Sequence, residues 1–447
     1  MRGLRSTLVL LVVLVGLGAY IYFAVPQEEN AVSQENRVFP GLETAVIDRV
    51  VVQSESGDAT TVEKNGDDWQ IVSPLTARAS TIELGGIASA LTTLDRERTV
   101  EEASANLSEF GLEPPRARVE FSTQGDTLSG ELLIGNKTST GQSLYAKRAD
   151  AAPVFLIPSY HEGSLNRSTF DLRDKNLLAI DRAEVQSLTV NNAGSAISFE
   201  KEGTDWRLAS PLTGRADAAM VDGLIGSVAG AQMRSVAAEN ASPEELRKYG
   251  VEKSDLTVSF NNNGTVTGVQ LGAPVDENTL YARNSAGGLV VVIDKSIADM
   301  VRRPAEEYRR RELFGFRSFT ASHIEFTRNS QTIVFERPTS SDGNTPAPWR
   351  RTAPTAGDVD ASQIESLLND VANMRVTSFV ASTANTGLDA PVLTVTATYD
   401  NGANKETVTF GRQGQNVYAS RADESGALQV SASALDEALK ALDGLSQ

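Results

Sequence analysis

The chain has 447 residues, and 41 Lys+Arg against 58 Asp+Glu leave a formal charge of −17 with both histidines neutral. Apolar residues make up 40% and charged residues 22%, ordinary globular usage that argues against wholesale disorder, and at roughly 150 residues per domain the length suggests about three domains. The absence of cysteine excludes disulfides, thiol nucleophiles, Cys-ligated zinc, iron–sulfur clusters and a lipid-modified N-terminal cysteine, and the acidic balance does not suit a general nucleic-acid binder, whose phosphate contacts need a basic face.

The first feature along the chain is TLVLLVVLVGLGAYIYFAV, residues 7–25, 19 positions without a charge. As a helix it would span about 28 Å, close to the hydrocarbon core of a bilayer. Arg2 and Arg5 precede it, while Glu28, Glu29 and Glu35 follow. The positive-inside rule therefore places the N-terminus in the cytoplasm and the rest of the chain outside. The rival reading is a cleaved signal peptide, whose apolar region is normally shorter and ends in a small-residue site; the length of the run favours an uncleaved anchor. Residues 26–42, PQEENAVSQENRVFPGL, are polar with proline near both ends and read as a short tether.

Beyond the tether, three tryptophans expose an internal repeat: Trp69, Trp206 and Trp349, spaced 137 and 143 apart. Each has a proline five residues later, at Pro74, Pro211 and Pro354. Upstream of each lies a hairpin pattern: DRVVV with TTVEK, QSLTV with AISFE, HIEF with TIVFE. Downstream, apolar residues fall at the 3-4-3 steps of an amphipathic helix. They are Leu84, Ile87, Leu91 and Leu94 in copy one; Val221, Leu224, Val228 and Ala231 in copy two; Ile364, Leu367, Val371 and Met374 in copy three. Ser80 with Glu83 and Asp360 with Gln363 have capping-box spacing, and Asp217 is an N-cap residue.

The correspondence continues through Gly111, Gly250 and Gly387, each followed by an apolar residue. It then runs through strand patterns ending at Gly135, Gly272 and Gly411, and through Tyr145-Ala146, Tyr281-Ala282 and Tyr418-Ala419, each with Lys or Arg within three residues. A last strand leads to a closing helix. The expected fold is α+β: three tandem repeats over 43–180, 181–316 and 317–447, each an antiparallel sheet with one packed amphipathic helix and a short closing helix, behind a cytoplasmic tip and a single N-terminal transmembrane helix that together take residues 1–25.

The repeated residues read as structural. A tryptophan held in fixed register with a helix belongs between sheet and helix, although an exposed ring would make a platform for sugars or peptides. Tyrosine in Tyr-Ala is expected inward, with the neighbouring cation in water. The glycines lack the spacing of phosphate-binding loops and read as turn and strand-end positions. Ser198-Phe199-Glu200-Lys201 matches S-x-x-K but lies in a strand pattern, without the companion motifs of penicillin-recognising enzymes. His161 and His323 do not recur at equivalent places. No catalytic residue, cofactor or metal site is therefore assigned. The five arginines of RRPAEEYRRR (Arg302, Arg303, Arg309, Arg310, Arg311) align with FDLRDKNLL at the end of copy one, as a domain-joining element or as an interaction patch for an acidic partner or anionic headgroups.

The order W-x4-P, capped helix, Gly-[LV], strand-Gly, Tyr-Ala and the FDLRDKNLL join resembles the bacterial family catalogued as domain of unknown function 4340. It is clearest over 69–180 and 206–316. Copy three departs from the pattern, with Asp358 where Arg78 and Arg215 stand and no closing join, as a terminal capping copy would. The resemblance implies an exported or single-pass bacterial envelope protein, often associated with ABC-type transport components of the gliding-motility type, and supplies no catalytic residue. A non-enzymatic, inner-membrane-anchored periplasmic scaffold or binding subunit with a protein partner is the first expectation. The alternatives are an envelope hydrolase using paired carboxylates, and a glycan-binding protein using surface tryptophans.

Overall fold

The computed structural model describes residues 36–338 and 347–445; the anchor expected over residues 7–25 lies outside them. Among the described residues no helix is long and apolar enough to cross a membrane. They fall into two compact units that meet in sequence at Lys175 and Asn176. The first holds copy one and the second holds copies two and three.

Each copy is a nine-stranded antiparallel sheet. In copy one the strands are β1 (Ile47–Gln53), β2 (Ala59–Asn65), β3 (Asp68–Ser73), β4 (Ala77–Arg78), β5 (Arg98–Glu101), β6 (Ala117–Thr123), β7 (Ser129–Lys137), β8 (Ser143–Arg148) and β9 (Val154–Pro158). They lie in the order β4-β3-β2-β1-β6-β7-β8-β9-β5, and the same order recurs in copies two and three. The protein is thus mostly β, with few helices. The expected hairpin is β1–β2. The tryptophan strand β3 adds to it, and the short β4 closes that side of the sheet.

Alternation sets which face is buried. In β6 the pattern is strict, with Ala117, Val119 and Phe121 on the core side. Across them packs α1 (Thr81–Thr93), with α2 (Ala218–Ala229) and α3 (Ala361–Ala372) in the other copies. All twelve stripe residues read from the sequence are buried. The helix starts are capped as the sequence suggests: Ser80 Oγ accepts the Glu83 N–H at 3.3 Å, Asp217 Oδ1 that of Met220 at 3.2 Å, and Asp360 Oδ1 that of Gln363 at 2.9 Å. Glu83 does not complete the box; its carboxylate pairs with Arg167 at 2.8 Å.

β9 differs from β6. Val154, Phe155, Leu156 and Ile157 are buried on both faces, because a second small cluster around Phe110 and Leu112 covers the sheet opposite the helix. Copy two repeats this with Tyr249 and Val251.

Each copy begins earlier than the sequence pattern suggests. Val38, Phe39 and Leu42, read as tether, are buried in copy one, and the Val38 N–H donates to Leu94 O at 2.8 Å. The same bond recurs from Leu177 to Ala231 O and from Leu313 to Met374 O. Residues 176–180 and 312–316 therefore belong to the copies that follow them. The closing helix also departs from expectation in copy three, where it runs 14 residues, Ala432–Leu445 (α4), and packs against α3.

Gly223 sits in α2 with nothing within 4 Å of an added Cβ. Gly223→Ala is expected to stabilise the protein by about 0.5–1 kcal/mol through helix propensity, read as a higher denaturant midpoint at unchanged m-value.

Candidate functional site

The most developed polar site lies within the second unit, where copies two and three join. In copy two the strand Asp205–Ser210 carries Trp206, and the chain turns at Pro211 to return through Gly214–Arg215. From copy three, the loop between strands Asn416–Arg421 and Ala427–Val430 brings Asp423, Glu424 and Ser425 to that corner. Backbone fixes the contact: the Ser425 N–H donates to Thr213 O at 2.7 Å, and Arg207 Nη2 to Asp423 O at 2.8 Å.

Glu424 is the pivot. Its side chain is 1% exposed and accepts from Arg215 Nε at 2.8 Å and from Arg309 Nη2 at 2.7 Å. Arg309 is itself fully buried, with its guanidinium 4.0 Å from the centroid of the Phe379 ring, a cation–π contact in a dry setting. Glu406, on the strand Asn404–Gln413, forms a second centre. It accepts the N–H groups of Gly315 at 2.9 Å and Phe316 at 3.0 Å, and Arg421 Nη1 at 2.6 Å. A cleft of about 270 Å³ opens beside these groups, lined by Trp206, Arg215, Arg310, Tyr399, Lys405 and Asp423 among others.

Burial and pairing pull the charges here in different directions. Burial dominates at Arg215 and, with Arg421 nearby, lowers its pKa. Burial also works against the Arg421 cation, yet hydrogen bonds to Asp423 and Glu406 outweigh it and its pKa rises. At Asp423 burial would raise the pKa, but the bond to Arg421, with the charges of Arg421 and Arg215, holds it below the ordinary range. Burial, reinforced by Glu406, pushes the Tyr399 phenol up. A depressed carboxylate contributes stability that is present above its unfolded pKa and is lost as pH falls through the folded one. Asp423→Asn is therefore expected to be less stable than wild type at neutral pH and to show a shallower loss of stability below about pH 4, measured by denaturant unfolding across pH.

The sequence-derived positions fall into two groups. Trp69, Trp206 and Trp349 are 9%, 3% and 3% exposed. They lie in the cores, with the Trp206 N–H donating to Asp222 on α2 at 2.9 Å, so they provide no exposed platform for sugars. The peptide bonds preceding Pro74, Pro211 and Pro354 are all cis. Gly111, Gly250 and Gly387 adopt left-handed φ of 66°, 70° and 72° and lie close to the repeated strand glycines.

The tyrosines reverse the expected orientation. Ala146, Ala282 and Ala419 are fully buried in the main cores, whereas Tyr145 and Tyr281 point to the opposite face. There they meet Phe110 at 5.0 Å and Tyr249 at 4.5 Å between centroids. A strand against a helix leaves room for alanine, and the larger ring fills the second cluster. Three residues after each tyrosine, Arg148, Asn284 and Arg421 donate to the carbonyls of Val38, Leu177 and Leu313, tying each copy to its own first residues.

The arginine run does not form one face. Arg302 and Arg303 make exposed local pairs with Asp299 and Glu307. Arg309 is interior, Arg310 lines the cleft, and Arg311 donates to the carbonyls of Val376 and Thr377. Glu406 and Glu424 carry no signal in the sequence because neither recurs in another copy, and Arg421 is marked there only as the cation following Tyr418. Both acids are held by arginines, and Glu406 also by backbone N–H groups, rather than facing each other across an open groove. Elsewhere, His323 lies between Glu325 at 2.8 Å and Glu336 at 3.1 Å. His161 is buried, which lowers its pKa. Among the described residues no group of three or more His, Asp or Glu side chains is placed to hold a metal ion.

The family described as Domain of unknown function (DUF4340) matches three segments, residues 69–212, 206–385 and 349–445. No curated protein matches the chain.

Proposed function

Because the chain belongs to this family of domains of unknown function, in three tandem copies, we propose that it is a non-enzymatic scaffold or binding subunit. It is held in the bacterial inner membrane by residues 7–25, with the N-terminus cytoplasmic and the three copies periplasmic. It serves as an accessory to an ABC-type transport or envelope assembly. The observation that carries this reading is how the polar groups of the most developed site are used. Glu424 holds Arg215 and Arg309, while Glu406 holds Arg421 and two backbone N–H groups. Glu424 thereby fixes copy two against copy three, and Glu406 ties the first residues of copy three into its own sheet. A rigid joint between repeats suits a chain that presents extended surface to a partner. The uncharged run of 19 residues preceded by Arg2 and Arg5 supports the anchor and its direction.

The test is chemical crosslinking of the full chain in native bacterial membranes, followed by purification. Reproducible recovery of one envelope protein with the membrane-bound chain is expected. Recovery of the chain in the soluble fraction, or from membranes without any reproducible partner, would overturn the reading.

A further inference from the structure

In copies one and two the last, two-residue strand of the sheet is extended by the join that leaves the copy. After β4, Ala79 bridges Arg173; the Ser80 N–H donates to Leu172 O at 2.8 Å and the Asp174 N–H to Arg78 O at 2.9 Å. In copy two, Ala216 bridges Arg309, with Asp217 N–H to Tyr308 O at 2.7 Å and Arg310 N–H to Arg215 O at 2.9 Å. The equivalent residues of copy three, by their distance from the tryptophan, are Asp358, Val359 and Asp360. Strand Gly357–Asp358 is the last of its sheet, and among the described residues no bridge closes on Val359. Asp358 and Asp360 are exposed and Val359 is half-buried, whereas Ala79 and Ala216 are buried. A sheet edge that is covered twice within this protein is therefore left uncovered the third time by the described residues.

We propose that this edge, Gly357 to Asp360, receives an extended basic segment of a partner protein by strand addition, in the place that Leu172-Arg173-Asp174 and Tyr308-Arg309-Arg310 hold in the other copies. Both cis occupants carry arginine at the bridging position, and main-chain bonds of this kind give affinity while flanking side chains give specificity. Charge sets the partner's chemistry. In copy one, Arg78 pairs with Asp174 of its join at 3.9 Å. Copy three has the opposite sign at that position: Asp358, with a side chain 94% exposed, pairs among the described residues with the exposed Arg350 at 3.6 Å. An incoming lysine or arginine at the position of Asp174 would restore the pair with reversed polarity. Asp360 adds a second carboxylate on the same side, its Oδ1 accepting from Gln363 N–H and Ser362 Oγ. The inference rests on the binding-subunit reading above and names its partner surface.

The probe is a fluorescein-labelled peptide with the sequence of residues 305–314, AEEYRRRELF, titrated with the detergent-solubilised full chain and followed by anisotropy. Saturable binding is expected. It should weaken at least tenfold in Asp358→Arg, which sets a cation against the peptide's arginines without the Glu424 that pairs with Arg215 in copy two, and vanish when the three arginines of the peptide are replaced by glutamate. Absence of saturable binding, or equal binding by Asp358→Arg, would overturn the proposal. So would a chain that light scattering shows to be a dimer split by Asp358→Arg, since the edge would then be occupied by a second copy. The titration contains no other envelope protein, so its failure is distinguishable from failure to recover a partner from membranes.

Discussion

Replacing Glu424 with alanine is expected to lower the stability of the second unit by about 3–5 kcal/mol, the usual cost of breaking a buried ion pair from one side. The magnitude follows from what remains. Arg309 keeps its place against Phe379, but its Nε and Nη1 are already buried without hydrogen-bond partners, and Glu424 holds its Nη2. Removing the carboxylate leaves a complete guanidinium charge unpaired in the interior. Arg215 suffers less, because its Nη2 also donates to the carbonyls of Glu312 and Leu313. The control is Asp358→Ala, which breaks an exposed pair and should change stability by no more than about 0.5 kcal/mol. Guanidinium unfolding followed through the buried indoles of Trp206 and Trp349 reads both. The double variant Arg309→Met, Glu424→Leu should recover most of the loss, since apolar replacement of both partners removes the desolvation cost. If Glu424→Ala behaves like the surface control, or the double variant is no better than the single one, the carboxylate is not the pivot of the joint.

The same comparison of copies explains what could be read before the structure. Features that recur are carried by periodicity and local chemistry. The 3-4-3 stripe beginning at Leu84, Val221 and Ile364 needs only the helical repeat, and Ser80, Asp217 and Asp360 need only the free N–H groups of a first turn. Burial of the tryptophans follows from their fixed register with that stripe. The face of the Tyr-Ala strand was not legible, because either residue satisfies alternation. The choice depends on a second cluster formed by Phe110 or Tyr249, which sequence distance does not connect to the strand. The starts of the copies were also hidden: Val38, Leu177 and Leu313 are held by hydrogen bonds to the helix ends and to distant side chains, and lie in stretches too short to show a period. The joint itself was illegible for the opposite reason to the stripe. Glu406 and Glu424 occur once each, and nothing local marks Glu424, whose arginine partner Arg309 is 115 residues away, or Glu406, whose backbone partner Phe316 is 90 away.

Gly272→Ala is expected to destabilise the second unit by at least about 2 kcal/mol, towards the upper part of the range for overpacked sites. A Cβ at this position would lie closer than 3.0 Å to Tyr249 O and to Val251 Cγ1. The carbonyl cannot move aside freely: it accepts the Ala273 N–H at 2.9 Å, and the Tyr249 ring packs on Tyr281. Gly135 against Phe110 O, and Gly411 against the backbone of Gly387, make the same approach in the other copies. The paired glycines thus exist so that two backbones can touch, one with left-handed φ and one without a side chain. The substitution should raise hydrogen exchange at the Ala273 amide as well as lower the denaturant midpoint. Its contrast with Gly223→Ala, the same chemical change with open space around it and an expected gain, separates close approach from backbone freedom as the reason for glycine. Equal effects at the two sites would show that the repeated glycines are kept for conformational freedom alone.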